Sequence, residues 1–219
     1  MIPIADSVWQ LTGYPAHYVN SYLLEDILID AATRWASGRI FRQLRGRCVS
    51  MVALTHCHPD HQGSAKAVCA KFGVPLACHN EDVACVEGRM PMLPHNRLLR
   101  LGQWLWAGPP CEVGRVLRDG DIIAGFRVVH APGHTPGHCM FFRESDRVCI
   151  AGDVLANINV VTGKPGLRQP PPMFSADAAQ NRRSIRLLAD LHPSIVCFGH
   201  GPPLREPQLL MQYVAALRR

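Results

Sequence analysis

Apolar residues recur along the chain in two alternating periods, one typical of strands and one typical of helices. Two β-rich runs meet at Glu25-Asp26 and predict a hairpin, and the apolar run that starts at Val49 predicts a strand buried on both faces. Helical spacing of apolar residues follows in between, which indicates an α/β alternation. The predicted elements of this first half are the strands "NSYLLED", "ILIDAA", "VSMVALTH" and "VPLACH" and helices over 37–46, 62–72 and 80–88.

A segment rich in proline and tryptophan, residues 88–110, interrupts the alternation and is interpreted as a loop or an insertion. The strand pattern then resumes, and a long loop is predicted over 155–176. Two β-rich halves with helices outside predict an α/β fold, arranged as a four-layer αββα sandwich with a site at the edge between the halves. The predicted elements of the second half are the strands "EVGRVLRDGDII", "FRVVHAP", "CMFFRES", "RVCIAGD" and "SIVCFGH" and helices over 177–191 and 206–218.

Composition is typical of a globular protein. With 219 residues, of which 47% are hydrophobic, the chain can bury a substantial core and is expected to form one domain over residues 1–219. No signal-peptide pattern and no run of ~20 apolar residues is present, and the nine scattered cysteines indicate reduced, mostly buried thiols. The net charge of +6 comes from dispersed arginines without a basic block. We therefore expect a cytoplasmic protein with a small-molecule substrate and no nucleic-acid or membrane partner, while its oligomeric state stays open.

The stretch "LTHCHPDHQG", residues 54–63, crowds three histidines and an aspartate into one short turn. A core built only for stability has no use for this crowding, because each buried histidine would need its own hydrogen-bond partner. Three more residues of the same chemistry each follow a predicted strand. Imidazole and carboxylate suit zinc, iron and manganese, and seven such ligands exceed the needs of one four-coordinate ion. The candidate ligands for two ions are His56, His58, Asp60, His61, His134, Asp153 and His200.

The order of these motifs resembles that of the metallo-β-lactamase-fold hydrolase superfamily. The chain carries "THCHPDH", then "GH" at 133–134, "GD" at 152–153 and "GHG" at 199–201. The resemblance implies the αββα fold and a dinuclear metal site. It also implies a division of the ligands, in which His56, His58 and His134 bind one ion, Asp60, His61 and His200 bind the other, and Asp153 bridges the two.

The chemistry expected of such a site is hydrolysis. Two divalent ions about 3.5–4 Å apart share a water whose pKa falls from about 15.7 to about 7, which supplies a hydroxide at neutral pH. Asp60 is also a candidate catalytic residue, because a carboxylate beside the metals can orient this hydroxide or carry its proton to the leaving group. We expect a hydrolase that uses a metal-bridging hydroxide on a small ester, lactone or thioester. Zinc is the expected metal, with iron or manganese as alternatives.

Departures from better-known branches of the superfamily narrow the function. The β-lactamases proper lack a carboxylate at the position of Asp153, and the acyl-homoserine lactonases carry a tyrosine where this chain has Ala156. Glyoxalase II enzymes and persulfide dioxygenases carry a Gly-Cys-Gly-Arg turn after the aspartate, where this chain reads "VLANINVV". In size and motif set the chain is nevertheless most similar to glyoxalase II-like enzymes. A mononuclear iron enzyme similar to persulfide dioxygenases and a phosphodiesterase stay open as alternatives.

Residues outside the ligand set carry further expectations. The loop 155–176 is predicted to form a lid or pocket wall, in which Lys164 and Arg168 contact an anionic substrate. His138 is expected to support a ligand, Cys57 to point away from the metals, and the remaining five histidines to have no catalytic role. The insertion either walls the pocket or buries its large apolar residues, namely Met90, Met92, Trp104 and Trp106.

Overall fold

Two β-sheets packed face to face form the centre of the protein. The computed structural model describes residues 1–217, apart from the side chains of residues 98 and 99. The first sheet contains seven strands in their order along the chain, and the second contains five. The first sheet consists of β1 (Ile2–Ala5), β2 (Val8–Gln10), β3 (Tyr22–Leu24), β4 (Ile27–Ile29), β5 (Met51–Ala53), β6 (Leu76–His79) and β7 (Val113–Leu117).

The second sheet has the spatial order β14-β11-β10-β9-β8. Between β11 and β14 the chain forms a separate two-stranded ribbon, β12 and β13. All neighbours in the second sheet are antiparallel except β11 and β14, which are parallel. The strands are β8 (Ile122–Ile123), β9 (Phe126–His130), β10 (Cys139–Arg143), β11 (Val148–Gly152), the ribbon strands β12 (Ala156–Ile158) and β13 (Pro165–Arg168), and β14 (Ile195–Phe198).

Helices connect the parallel strands and cover the outer faces of both sheets. In the first sheet β4, β5, β6 and β7 run parallel, so their carboxyl ends meet at one edge. No helix among the described residues is long and apolar enough to cross a membrane. The helices are α1 (Ser37–Gln43), α2 (Pro59–Gln62), α3 (Ala65–Phe72), α4 (Asn80–Val86), α5 (Arg97–Trp106), α6 (Ala178–Asp190) and α7 (Pro207–Ala216).

Alternation of side chains along the strands divides the core into three layers of packing. In β3, Tyr22 and Leu24 face the second sheet, whereas Leu23 faces the helices on the other side. In β10, Phe141 faces the first sheet, whereas Phe142 packs toward α6 and α7. Because successive strand residues point to opposite faces, each sheet is apolar on both sides and needs helices outside it. The predicted four-layer αββα sandwich is confirmed.

Two segments differ from the prediction. Residues 88–110 contain the helix α5, so this part of the chain is not simply a loop. The prolines of this segment are compatible with a helix, because Pro94 and Pro109 flank α5 and do not interrupt it. The predicted loop 155–176 contains the β12–β13 ribbon and a 3₁₀ turn at Pro172–Phe174. Ribbon strands of three and four residues are too short to show an alternating pattern.

Several predicted boundaries also change. The run "EVGRVLRDGDII" was predicted as one strand but divides into β7 and β8, which belong to different sheets, because a turn closed by Arg118 N–H to Asp121 Oδ2 separates them. The predicted helix 62–72 begins earlier, as α2, and continues as α3. The strands β1 and β2 were not predicted. The last helix ends at residue 216, and position 218 of its predicted range lies outside the described residues.

The packing between the sheets gives a stability prediction. Phe141 is fully buried among residues of both sheets, so Phe141→Ala should lower the free energy of unfolding by about 3–5 kcal/mol. Ile122 is 58% exposed, so Ile122→Ala should change it by about 0.5 kcal/mol or less. Urea unfolding in a chelator, which removes any contribution from bound metal, measures both. Equal effects of the two substitutions would contradict the assignment of the core.

Candidate metal centre

The predicted ligand residues lie at the carboxyl ends of strands, along one edge of the two sheets. Asp153 directly follows β11 and His200 follows β14, and these two strands are parallel neighbours. His56 and His58 lie in the loop after β5, and His134 lies in the loop between β9 and β10. The fold therefore brings together residues that are up to 144 positions apart, counted from His56 to His200.

The one-turn helix α2 carries Asp60 and His61 back toward this edge. Pro59 occupies its first position, where a missing N–H costs nothing, and His58 before it is extended. The backbone of His61 is held by a 2.7 Å hydrogen bond from the N–H of Ala31. As a result the side chains of Asp60 and His61 point to the same edge of the sheets as those of His56 and His58.

The ligand atoms form three overlapping groups, in each of which all atoms lie within 4.8 Å of one another. His56 and His61 each belong to two groups, so the groups are parts of one cluster. All seven predicted ligands take part, and no other such group occurs within residues 1–217. The groups are His56, His58 and His134; His56, His61 and Asp153; and Asp60, His61 and His200.

Asp153 lies at the junction of the cluster. Its Oδ2 atom is 3.6 Å from Nε2 of His134, 3.6 Å from Nε2 of His61 and 3.1 Å from Nε2 of His200. One carboxylate oxygen thus contacts histidines of both outer groups.

Each of the five histidines has one ring nitrogen held from outside the cluster and the other directed into it. Neutral imidazole has one donor and one acceptor nitrogen, so the outer contact decides which nitrogen keeps a free lone pair. The outer contacts are Thr55 Oγ1 for His56 Nδ1 (3.0 Å), the Leu93 carbonyl for His58 Nε2 (3.0 Å), Asp30 Oδ2 for His61 Nδ1 (2.8 Å), Ser175 Oγ for His134 Nδ1 (3.3 Å) and the Tyr18 carbonyl for His200 Nδ1.

The atoms directed into the cluster fit a metal ion. His56 Nε2, His61 Nε2 and Asp153 Oδ1 are buried and have no hydrogen-bond partner. His58 must donate from Nε2 to the Leu93 carbonyl, so its Nδ1 is an acceptor, and it lies 2.9 Å from Nε2 of His134. Each unpaired buried polar atom costs about 1–3 kcal/mol, and a cation would satisfy several at once. The set of imidazoles and carboxylates suits zinc, iron or manganese.

Three of the histidines stay neutral in the metal-free protein. Burial lowers the pKa of His56, His58 and His134, and the neighbouring imidazoles lower the pKa of His56 and His134 further. At neutral pH these rings therefore offer lone pairs, which a metal requires.

The other two histidines hold protons. Although burial lowers the pKa of His61, the carboxylates of Asp153, Asp30 and Asp60 raise it to about 10. Asp153 and Asp60 likewise raise the pKa of His200 well above its ordinary value, against the effect of burial. In the metal-free protein these protons balance the buried carboxylates.

Asp30 is a contributor to the site that the sequence analysis missed. It is buried at the end of β4, donates nothing, and accepts hydrogen bonds from the backbone and hydroxyl of Thr55 and from the ring of His61. Because the hydroxyl proton of Thr55 goes to Asp30, its oxygen is free to accept from His56 Nδ1. Asp30 follows a strand in "ILID", which is the same signal that identified Asp153.

Two neighbours of the ligands behave as predicted. His138 is fully buried, and its Nε2 accepts a 3.0 Å hydrogen bond from the backbone N–H of Asp153. Burial lowers the pKa of His138 to about 3, which keeps the ring an acceptor. Cys57 is buried, belongs to none of the three groups, and its thiol interacts with Cys85 on α4.

The predicted substrate contacts lie on the β12–β13 ribbon. Lys164 is exposed, and Arg168 is half-buried opposite Ala156 in the pairing of the two strands. Their contact with an anionic substrate stays a prediction. Among the large apolar residues of the insertion, Met92 is buried, but three others are 46–73% exposed, namely Met90, Trp104 and Trp106. The alternative in which the insertion buries all of these residues is therefore wrong.

Known proteins share sequence similarity with this chain. A sequence profile of the metallo-beta-lactamase superfamily matches residues 14–200. The probable metallo-hydrolase YflN of Bacillus subtilis is 28% identical over 200 residues, which cover 81% of this chain and 76% of that protein. The uncharacterized protein YobT of the same bacterium is 30% identical over 217 residues, covering 94% and 93%. A hydroxyacylglutathione hydrolase of Haemophilus influenzae is 32% identical over 114 residues, covering 49% and 50%.

Solved structures share the fold. The metallo-beta-lactamase family protein TTHA1429 of Thermus thermophilus superposes with a TM-score of 0.72 at 27% identity, covering 96% of this chain and 79% of that one. TTHA1623, crystallised in a di-iron-bound form, superposes with a TM-score of 0.71 at 28% identity, covering 93% and 97%. The profile match over most of the chain, the fold and the order of the motifs agree, and the chain belongs to the metallo-beta-lactamase superfamily.

Proposed function

We propose that this protein is a dinuclear metal-dependent hydrolase that cleaves a small ester, lactone or thioester. The observation that carries the proposal is the cluster of seven histidine and aspartate side chains, in which the inward atoms His56 Nε2, His61 Nε2 and Asp153 Oδ1 are buried without a hydrogen-bond partner. Membership of a superfamily with metallo-hydrolase relatives supports a hydrolytic reaction. Two ions account for the overlap of the groups better than one.

The proposed ligands divide into two sets of three residues, and a seventh residue, Asp153, serves both sets. Asp153 is the proposed bridge, because its Oδ2 contacts histidines of both sets. When bound, two divalent ions would polarise the acyl oxygen of the substrate and lower the pKa of a shared water. The first set is His56, His58 and His134, and the second is Asp60, His61 and His200.

Asp60 is the proposed proton carrier. Its side chain is 20% exposed and lies 3.3 Å from Nε2 of His200, which is 15% exposed, whereas the side chain of His61 is fully buried. Asp60 therefore lies on the side of the cluster that a substrate reaches. Although burial raises the pKa of Asp60, His61 and His200 lower it well below its usual range, so the carboxylate is ionised in the metal-free protein. As a carboxylate it could accept the proton of the attacking water. It would then deliver this proton to the departing alkoxide or thiolate.

The substrate class and the metal are proposed on separate grounds. The Haemophilus relative is named for hydrolysis of an acyl derivative of glutathione, which supports a thioester among the candidate substrates. The net charge of +6, with Lys164 and Arg168 on the nearby ribbon, supports an anionic one. Zinc is the proposed metal, and the di-iron form of TTHA1623 supports iron as the alternative. Metal analysis of protein purified without added metal distinguishes two zinc, two iron and a single iron per chain.

The first prediction concerns stoichiometry. Because seven ligands exceed the needs of one four-coordinate ion, the purified protein should bind close to two zinc ions per chain, and chelators should abolish hydrolysis. Equilibrium dialysis followed by elemental analysis measures the ratio. Saturation at one ion in excess zinc would refute the dinuclear assignment.

The second prediction concerns protons released by metal binding. The raised pKa values of His61 and His200 keep both rings protonated at pH 7.5, and an ion bound by them must displace those protons. The set of His56, His58 and His134 is already neutral and should release almost none. One binding step should therefore tighten about 10- to 100-fold per pH unit between pH 6.5 and 8.5, since one or two protons leave, while the other should hardly change.

Calorimetric zinc titrations in two buffers of different ionisation enthalpy count the protons of each step. Equal release from both steps would contradict the assignment of charged and neutral histidines to separate sets.

The third prediction separates the two roles of Asp60. Asparagine keeps the shape and one oxygen ligand but carries no proton at neutral pH, so Asp60→Asn should lower turnover by at least about 10²-fold at full zinc occupancy. The loss should be smaller for aryl esters, whose leaving groups need less protonation. Asp190→Asn is the matched control, because Asp190 is exposed on α6 and the charge change is the same. Near-normal turnover of an alkyl ester by fully metallated Asp60→Asn would leave Asp60 as a ligand alone.

A further inference from the structure

We propose that Asp82 is a positioning residue that sets the spacing of the first ligand set by joining the two loops that carry it. The inference rests on the proposed metal-dependent function and names a residue that acts through others. Asp82 lies in the first turn of α4, outside every ligand motif, and is 1% exposed. Its carboxylate is directed at the loops of both halves of the sandwich.

Three donors from the two loops converge on this carboxylate. Oδ2 accepts from the backbone N–H of Cys57 at 3.0 Å and from the hydroxyl of Thr135 at 2.7 Å, and Oδ1 accepts from the backbone N–H of Gly137 at 2.8 Å. Cys57 lies between His56 and His58 in the chain, and Thr135 directly follows His134. One buried side chain thus binds residues that directly adjoin all three ligands of the first set in the chain.

A role in the helix alone does not explain these contacts. Acidic residues are common in the first turn of a helix because they interact favourably with its amino terminus. In α4 the neighbouring Glu81 can supply that charge, and the ring of His79 accepts from the Glu81 N–H. These hydrogen bonds of the Asp82 carboxylate go instead to residues 25 to 55 positions away in the chain.

The backbone at Gly137 approaches the Asp82 carboxylate closely. A Cβ atom at Gly137 would lie 2.7 Å from Cγ of Asp82, so glycine is needed for the backbone to approach the carboxylate. The two loops meet where His58 Nδ1 and His134 Nε2 are 2.9 Å apart. Small displacements of either loop would therefore change the distance between two ligand atoms directly.

Both carboxylate oxygens of Asp82 accept hydrogen bonds, so replacement by asparagine tests the role of these bonds. Whichever position the amide NH₂ of asparagine takes, it opposes a backbone N–H, of either Cys57 or Gly137, and that hydrogen bond is lost. The residues of the second set, Asp60, His61 and His200, do not adjoin these donors in the chain. The loss should therefore be confined to the first set.

The test measures zinc affinity in two backgrounds, each with one set disabled. With His200→Ala the first set is intact, and adding Asp82→Asn should weaken zinc binding by about 10- to 100-fold, the usual cost of losing a residue that orients metal ligands. With His58→Ala the second set is intact, and the same addition should change the affinity by less than about threefold. Competition with a chromophoric chelator gives the dissociation constants, and circular dichroism confirms folding.

Two milder substitutions guard against a general loss of structure. Thr135→Val removes one donor to Asp82 and should show the same selectivity for the first set, at about threefold or more. Tyr22→Phe is the matched control, because it also removes one buried hydroxyl, which donates to the Phe198 carbonyl near His200. It should leave the affinity of the first set unchanged.

Equal weakening in both backgrounds, or none in the His200→Ala background, would overturn the role of Asp82. Zinc affinity is measured without a substrate, so absence of hydrolysis by the unmodified protein would refute the proposed activity and leave this result standing.

Discussion

The burial of seven titratable side chains at one edge of the sheets is the constraint on which the rest of this structure depends. Five imidazoles and two carboxylates form three overlapping groups, in each of which the ligand atoms lie within 4.8 Å of one another, and their protonation depends on that crowding. Three histidines are held neutral by burial, and two are held charged against the carboxylates. A metal ion would bind the free lone pairs of the neutral histidines and replace the protons of the charged ones.

Holding such a cluster requires contacts behind every ligand. Asp30 serves His61 directly and His56 through Thr55, while backbone carbonyls hold His58 and His200. These partners fix the orientation of the rings and, for the neutral rings of His56 and His58, the tautomer, so the nitrogen that faces the cluster is built into the fold. The cluster is therefore arranged for an ion before any ion binds.

Neither half of the sandwich can form this site alone. The first half supplies the ligands from 56 to 61, and the second supplies those at 134, 153 and 200. Asp82 joins the halves behind the first set, and Asn20 joins them near His200, where its amide donates to the carbonyls of Phe198 and Gly201 at 2.8 Å each. The packing of the two sheets and these buried hydrogen bonds together set distances that the local motifs cannot set.

The sequence by itself determined the candidate ligand residues, the strands that precede them and the layered fold. These features are local, since "THCHPDH" lies within seven residues and strands show their period over a few positions. Only the tertiary structure decided that α5 is a helix with exposed tryptophans, that Asp30 and Asp82 support the ligands, and which ring nitrogen faces the cluster. An aspartate in "ILID" or in "NEDVAC" looks the same in the sequence whether it caps a helix, meets solvent or accepts three hydrogen bonds. Its role depends on hydrogen-bond donors that folding brings from distant segments, and such long-range hydrogen bonds produce no periodic pattern in the sequence.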